Sequence, residues 1–191
     1  MQASPALLAL RRATAADHSA LEEEAAIEPR LADPATRPQT VLAFHRFHAA
    51  LEATAHPLVT GLDTGFAPVS RGAMIARDLA DLGRPAPRTP SVGAPGSIGA
   101  ALGWVYVAEG SMLGGRIIRR RLGAAGIDLT GLSFLDPHGE ETGARWRAFL
   151  HLLEAACANG RAEIADVVQG GLAGFAHARR TLHPDAMRAA A

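Results

Sequence analysis

The chain has 191 residues, enough for one domain with a substantial core, and we expect a single domain over residues 1–191. Its 19 Lys and Arg residues balance 19 Asp and Glu residues, so net charge favours neither nucleic acid nor an anionic membrane as a partner. A single cysteine, Cys157, excludes an internal disulfide framework, and no apolar run approaches the length of a membrane span. The apolar N-terminal residues precede the first arginines, an order unlike that of a secretory signal, so we expect a cytoplasmic protein.

A first helix is predicted to begin at Ser4 and Pro5, because serine caps helix N-termini and proline is favoured at the first helical position. Helical spacing then continues until Pro29 and Pro34 interrupt it. The residues that recur on one face of this helix are Leu7, Leu10, Thr14, His18, Leu21 and Ala25. A second helix is predicted from Pro38 to about His56.

The second half of the chain is also predicted to be helical. A third helix spans about residues 68–83, and the proline- and glycine-rich residues 84–97 form a loop. A long helix fills about residues 95–124, residues 131–140 form a connector, and two helices follow at about 141–158 and 161–183. No segment has the period of a strand, so the fold class is all-α, with six to eight helices around one core.

The long helix carries three glycines in its middle, Gly110, Gly114 and Gly115. Each glycine costs about 1 kcal/mol relative to alanine in a helix interior, so together they cost about 3 kcal/mol. Something must therefore approach this backbone closely. Two explanations remain open, a neighbouring helix that crosses there or a flat ligand that lies against it.

Histidines are the main candidates for chemistry, and His18 has a carboxylate, Glu22, four residues further on the same helix face. A metal-bound histidine commonly donates its other ring N–H to such a carboxylate, although an ordinary surface pair explains the spacing equally well. His45 and His48 share a face, but their helix lacks the Glu-x-x-His motif of di-metal bundles, so we interpret them as surface or half-buried histidines. A ligand-bearing helix opposite a glycine-lined helix would suit a flat metallated macrocycle.

Two blocks of the sequence resemble the haem oxygenase family. Residues 10–22, Leu-Arg-Arg-Ala-Thr-Ala-Ala-Asp-His-Ser-Ala-Leu-Glu, are similar to the proximal helix of that family, with its Leu-x-x-Ala-Thr-x-x-x-His pattern. Residues 106–122, which contain Glu-Gly-Ser-x-Leu-Gly-Gly, are similar to the distal helix of the bacterial, biliverdin-producing branch. Phe134 to Glu140 and Trp146 to Phe149 resemble the bacteriophytochrome-associated members. The resemblance spans most of the chain and implies a multi-helix bundle with haem between a proximal helix and a glycine-kinked distal helix.

The resemblance also implies which residues form the site. His18 would be the axial ligand of the iron, with Glu22 as its hydrogen-bond partner. The residues of the distal face would be Gly110, Ser111, Gly114 and Gly115, and the candidates for the haem propionates would be Arg11 and Arg179. Mammalian members have an aspartate where this chain has Ser111, and a serine hydroxyl can hold a water but has no accessible carboxylate pKa.

The implied reaction is oxidative cleavage of haem, as both substrate and cofactor, at a meso carbon with O2 to give biliverdin, ferrous iron and carbon monoxide. Electrons would come from a ferredoxin or a flavoprotein reductase, because the sequence contains no nucleotide-binding fingerprint. A bacteriophytochrome is a candidate receiver of biliverdin, and neither nucleic acid nor a membrane is expected as a partner. Two alternatives stay open, a non-catalytic haem carrier or sensor and a helical di-metal enzyme without haem.

Overall fold

The computed structural model describes residues 4–62, 65–88 and 93–183, which form eight α-helices and two short 3₁₀ helices and contain no strand. The α-helices are α1 (Pro5–Ala25), α2 (Ile27–Ala32), α3 (Arg37–Thr54), α4 (His56–Val59), α5 (Gly72–Asp81), α6 (Ile98–Ala124), α7 (Thr142–Ala158) and α8 (Ile164–Leu182). The 3₁₀ helices are Ser133–Leu135 and Gly139–Glu141. The prediction of an all-α fold is confirmed, although residues 89–92 of the predicted loop lie outside the described residues.

The first helix begins as predicted and ends earlier. The Ser4 hydroxyl accepts a hydrogen bond from the Leu7 N–H at 3.3 Å, and Pro5 occupies the first turn of α1. α1 ends at Ala26, whose φ of 45° is left-handed, rather than at the proline. Pro29 instead lies within the first turn of α2. Backbone N–H groups in a first turn have no partner within the helix, so a proline is tolerated there.

The long glycine-bearing helix begins at Ile98, because Ser97 caps it. The Ser97 hydroxyl accepts from the Ala100 N–H at 3.1 Å and donates to the Asp166 carboxylate at 2.7 Å. α6 then continues without interruption to Ala124 despite the glycines in its middle. The same serine therefore starts α6 and ties it to α8.

α6 and α8 cross closely because both helices present glycines at the crossing. A methyl group on Gly103 would overlap the Val167 carbonyl oxygen, and one on Gly170 would overlap the Ala100 carbonyl oxygen. Small residues on both helices are therefore a packing requirement at this point.

Within the described part of the chain, the helices fall short of the combination of length and apolar content that crossing a membrane demands.

Candidate functional site

Both α1 and α6 pack along α8, which fixes their relative positions. In order along α8, the neighbouring pairs are Gly170 with Ala100, Gly171 with Thr14, Gly174 with Val107, and Phe175 with His18. Residue numbers on α1 and on α6 both rise along α8, so the two helices run in the same direction beside it.

α1 and α6 meet where the Tyr106 side chain interacts with Arg11 and Thr14. Burial raises the pKa of the Tyr106 phenol, and the neighbouring Arg11 opposes that rise. One helical turn beyond this contact, α1 carries His18 and α6 carries Gly110. We call the region between these two residues, which the helical register of α1 and α6 defines, the α1–α6 cleft.

His18 presents its imidazole on the surface of α1. Its side chain is 59% exposed, and its Nδ1 lies 3.4 Å from the Glu22 Oε2. The ring also contacts Phe175 of α8 edge-on, with 5.8 Å between centroids. The carboxylate near Nδ1 and the aromatic ring at the side restrict the imidazole, and Nε2 is the ring atom that could bind a metal.

The surface of α6 on the cleft side is apolar, and two of its four residues are glycines. We define this open face as Gly110, Leu113, Gly114 and Ile117. Leu113 and Ile117 are 38% and 43% exposed. A methyl group added to Gly114 would meet nothing within 4 Å, and one added to Gly110 would meet only the Trp146 ring, at 3.7 Å. A flat apolar ligand could therefore lie against this backbone.

Gly115 points away from the open face, and its predicted place at the ligand site stays a prediction. Gly115 is buried on the opposite side of α6, where a methyl group would lie 2.5 Å from the Leu135 carbonyl oxygen. In this structure, close packing against another segment of the protein explains the glycine at position 115. The sequence could not separate it from Gly114, because adjacent residues of a helix point about 100° apart and the motif does not say which direction is inward.

Ser111 also belongs to the back of α6. Its hydroxyl donates to the Ala108 carbonyl oxygen at 2.7 Å and accepts from Arg71 Nη1 at 3.1 Å. Arg71 is 5% exposed, and no feature of the sequence singled it out, because a lone arginine before a helix is ordinarily a surface residue. The serine hydroxyl is therefore engaged with protein groups behind the helix.

The two arginines proposed for the propionates differ in their surroundings. Arg11 is exposed at the end of the cleft beside Tyr106. Arg179 is instead bonded to Glu24 through two hydrogen bonds, of 2.7 and 3.1 Å, and lies 3.4 Å from Asp17. These contacts raise the pKa of Arg179 and lower that of Glu24, and they join the last turns of α1 and α8.

His45 and His48 are more deeply placed than predicted. They are 6% and 1% exposed, and desolvation lowers the pKa of both, well below the usual value for His48. Among residues 4–62, 65–88 and 93–183, no group of three or more His, Cys, Asp and Glu side chains could hold a metal ion by itself. A metal bound at His18 would need other ligands, such as those of a macrocycle.

Comparisons with known proteins point to one family. A curated protein described as a heme oxygenase, from Xanthomonas campestris pv. campestris (strain 8004), is 34% identical over 156 residues, which cover 81% of this chain and 93% of that protein. A crystal structure of heme oxygenase from Neisseria meningitidis, studied with NO and CO bound, matches 91% of this chain and 89% of that chain with a TM-score of 0.70. At 24% identity the second match concerns the fold alone. The sequence matches no model of a known protein family.

Proposed function

The chain belongs to the haem oxygenase family, and from this premise we propose how its residues bind haem and cleave it to biliverdin. Membership makes it an enzyme that degrades haem, and all-α architecture with the family fold accompanies it. The observation that carries the assignment of the site is the register of α1 and α6, which meet at Tyr106, Arg11 and Thr14. An exposed histidine with a carboxylate at Nδ1 stands one turn beyond the α1–α6 contact, and the facing turn of α6 begins with a glycine.

His18 is proposed to hold the iron of haem through Nε2. The contact between Nδ1 and Glu22 fixes which ring nitrogen faces the metal and strengthens the imidazole as a ligand. Phe175 limits rotation of the ring from the side of α8. When bound, haem supplies a redox-active iron that activates O2 together with the meso carbon that is oxidised.

The open face of α6 is proposed to cover the other side of haem. The space beside Gly114 lets the ring approach the backbone, while the Trp146 ring bounds the space beside Gly110. This difference leaves more room along one direction of the cleft than along another, so it can select the meso edge that is attacked. Leu113 and Ile117 would exclude bulk water around the ring.

Proton supply is proposed to depend on water rather than on a side chain of the open face. None of the open-face residues, Gly110, Leu113, Gly114 and Ile117, carries a titratable group. The Ser111 hydroxyl already bonds to Arg71 and Ala108 behind the helix, which supports an indirect role for it. Backbone groups of α6 would then order the water that delivers protons.

The propionates are proposed to contact Arg11, which is exposed beside Tyr106 at the end of the cleft. Arg179 could contact a propionate only if the propionate replaced Glu24 as its partner. We therefore assign Arg179 mainly to joining α1 and α8. We also propose that residues 1–191 act as one domain in the cytoplasm, with a ferredoxin or flavoprotein reductase as electron donor. A bacteriophytochrome is the proposed receiver of biliverdin.

A visible spectrum of the purified protein with hemin tests the proposal. The Soret band should form and then decay after addition of ascorbate or reduced ferredoxin in air, with growth of the broad red absorbance of biliverdin. His18→Ala should prevent that decay, whereas His151→Ala, at an exposed histidine of α7, should leave it unchanged. A stable Soret band in the unmodified protein would instead indicate a haem carrier, and absence of any Soret shift would refute haem binding.

A further inference from the structure

Arg71 is a buried cation that has no ion-pair partner among the described residues. Its guanidinium donates to the Phe134 carbonyl oxygen at 2.9 Å, to the Ser111 hydroxyl at 3.1 Å and to the Ala108 carbonyl oxygen at 3.3 Å, all neutral acceptors. Within the described residues no carboxylate lies at ion-pair distance, and the Nε has no hydrogen-bond partner. Burial of such a group is expensive, and its desolvation lowers the pKa of Arg71 to about 10.

The two nearest carboxylates are each bonded elsewhere. Glu52 of α3 accepts from the backbone N–H groups of Arg71 and Gly72 at 2.6 and 2.7 Å, which fixes the start of α5. Glu109 forms a bidentate pair with Arg145, at 2.8 and 2.9 Å. The backbone of Arg71 is therefore held in place while its charge remains directed at α6.

Helix α5 also holds the segment that packs behind α6, the 3₁₀ helix Ser133–Leu135. Asp78 of α5 accepts from the Ser133 and Phe134 backbone N–H groups at 3.0 and 2.9 Å, and Arg71 donates to the Phe134 carbonyl oxygen. The next residue, Leu135, places its carbonyl oxygen against Gly115. α5 thus fixes the position of the 3₁₀ helix Ser133–Leu135. That 3₁₀ helix in turn limits how closely α6 can pack against it.

We propose that Arg71 is a positioning residue that fixes residues 108–115 of α6 from behind and so places the open face against haem. The proposal rests on the haem-binding role of the cleft. Arg71 contacts Ala108 and Ser111, which flank Gly110 in the sequence, so removal of the guanidinium frees the turn that carries the first residue of the open face. Its unneutralised charge also makes the potential at this turn more positive.

The first test uses the haem-free protein. Arg71→Met should increase amide hydrogen exchange of residues 108–115 by about tenfold or more, since hydrogen bonds from a charged group stabilise this turn more than neutral ones. Ser111→Ala removes one acceptor and should give a smaller increase in the same residues. Arg77→Met, at an exposed arginine of α5, the helix that follows Arg71, is the matched control and should change nothing there. Unchanged exchange in both Ser111→Ala and Arg71→Met would overturn the proposal, and Ser111→Ala alone decides if Arg71→Met does not fold.

The second test uses the haem complex and a spectroscopic signature. Loss of the positive charge in Arg71→Met should raise the C–O stretching frequency of the ferrous carbonyl complex and change the ratio of biliverdin isomers, without a matching loss of hemin affinity. A role limited to stability would leave both the frequency and the isomer ratio at their original values and would overturn the link to haem. If the unmodified protein fails to bind hemin, the proposed function falls, whereas the exchange result still decides whether Arg71 anchors α6.

Discussion

The open face of α6 and the back of the same helix both carry small residues, but their surroundings are opposite. A methyl group would meet open space at Gly114 and the Leu135 carbonyl oxygen at Gly115. At the back, Ser111 is bonded to the buried Arg71, whereas Leu113 and Ile117 on the open face remain exposed. Glycine therefore leaves open space on one side and permits close protein packing on the other, and a motif of consecutive small residues does not identify which.

The largest effect is expected from bulk on the open face. Gly114→Leu should decrease the rate of biliverdin formation by about 100-fold, because a displacement of about 1 Å at a reacting centre is enough for that loss. The rate is measured from the decay of the Soret band under reductant. Gly123→Leu, an exposed position further along α6, is the control for added bulk. Full turnover in Gly114→Leu would show that the open face is not part of the haem site.

Gly115→Ala tests the back of the helix. The added methyl group would press on backbone at 2.5 Å, so the free energy of unfolding should decrease by about 1–3 kcal/mol. Urea denaturation of the haem-free protein measures this change. An alanine tolerated without loss of stability would mean that the back of α6 is not tightly packed at this position.

The loss of folding stability at acid pH should depend on His48, a buried residue near Arg71. His48 is buried near Arg71, and desolvation lowers its pKa in the folded protein well below the ordinary value. Above about pH 6.5 the histidine is neutral in both states and has no effect. As the pH falls below that value, the unfolded chain binds a proton that the folded chain does not, so stability decreases by up to about 1.4 kcal/mol per pH unit for this group.

His48→Leu should make the decrease between pH 6.5 and 5 shallower, measured by urea denaturation at each pH. The exposed His151 provides the control substitution, His151→Leu, which should leave the slope unchanged. Equal slopes in the unmodified protein and in His48→Leu would show that other groups determine the acid sensitivity. Those groups would include His45, His56, His138 and His177, whose pKa values burial also lowers.

The smallest effect separates ligand approach from folding most cleanly. Gly114→Ala should stabilise the haem-free protein by up to about 1 kcal/mol, because alanine is the better helix former and nothing obstructs the methyl group. The same substitution should weaken hemin binding or slow turnover if haem lies against this backbone. Stability is measured by urea denaturation and hemin affinity by titration of the Soret band. A loss of stability would contradict the open environment of Gly114.

Features encoded within a few residues were predicted correctly. Ser4 and Pro5 begin α1, and the four-residue spacing of His18 and Glu22 brings their side chains to 3.4 Å. Both depend only on helical geometry and on local hydrogen bonding, which the sequence specifies directly.

Features that join distant segments were not predicted. Arg71 reaches Phe134 across 63 positions, and Arg179 reaches Glu24 across 155. Neither arginine has a neighbouring residue that signals its partner, because tertiary packing decides which helices meet. The direction of Gly115 was missed for the same reason, since Leu135 contacts it from another element.

The packing of both α1 and α6 along α8 has a consequence for the order of events during synthesis. α1 leaves the ribosome first and α6 later, but both take their relative position from glycines and Phe175 on the last described helix. A nascent chain therefore has the proposed ligand His18 and the open face before it has the helix that aligns them. We therefore expect haem binding to require that α8 has already packed against both helices.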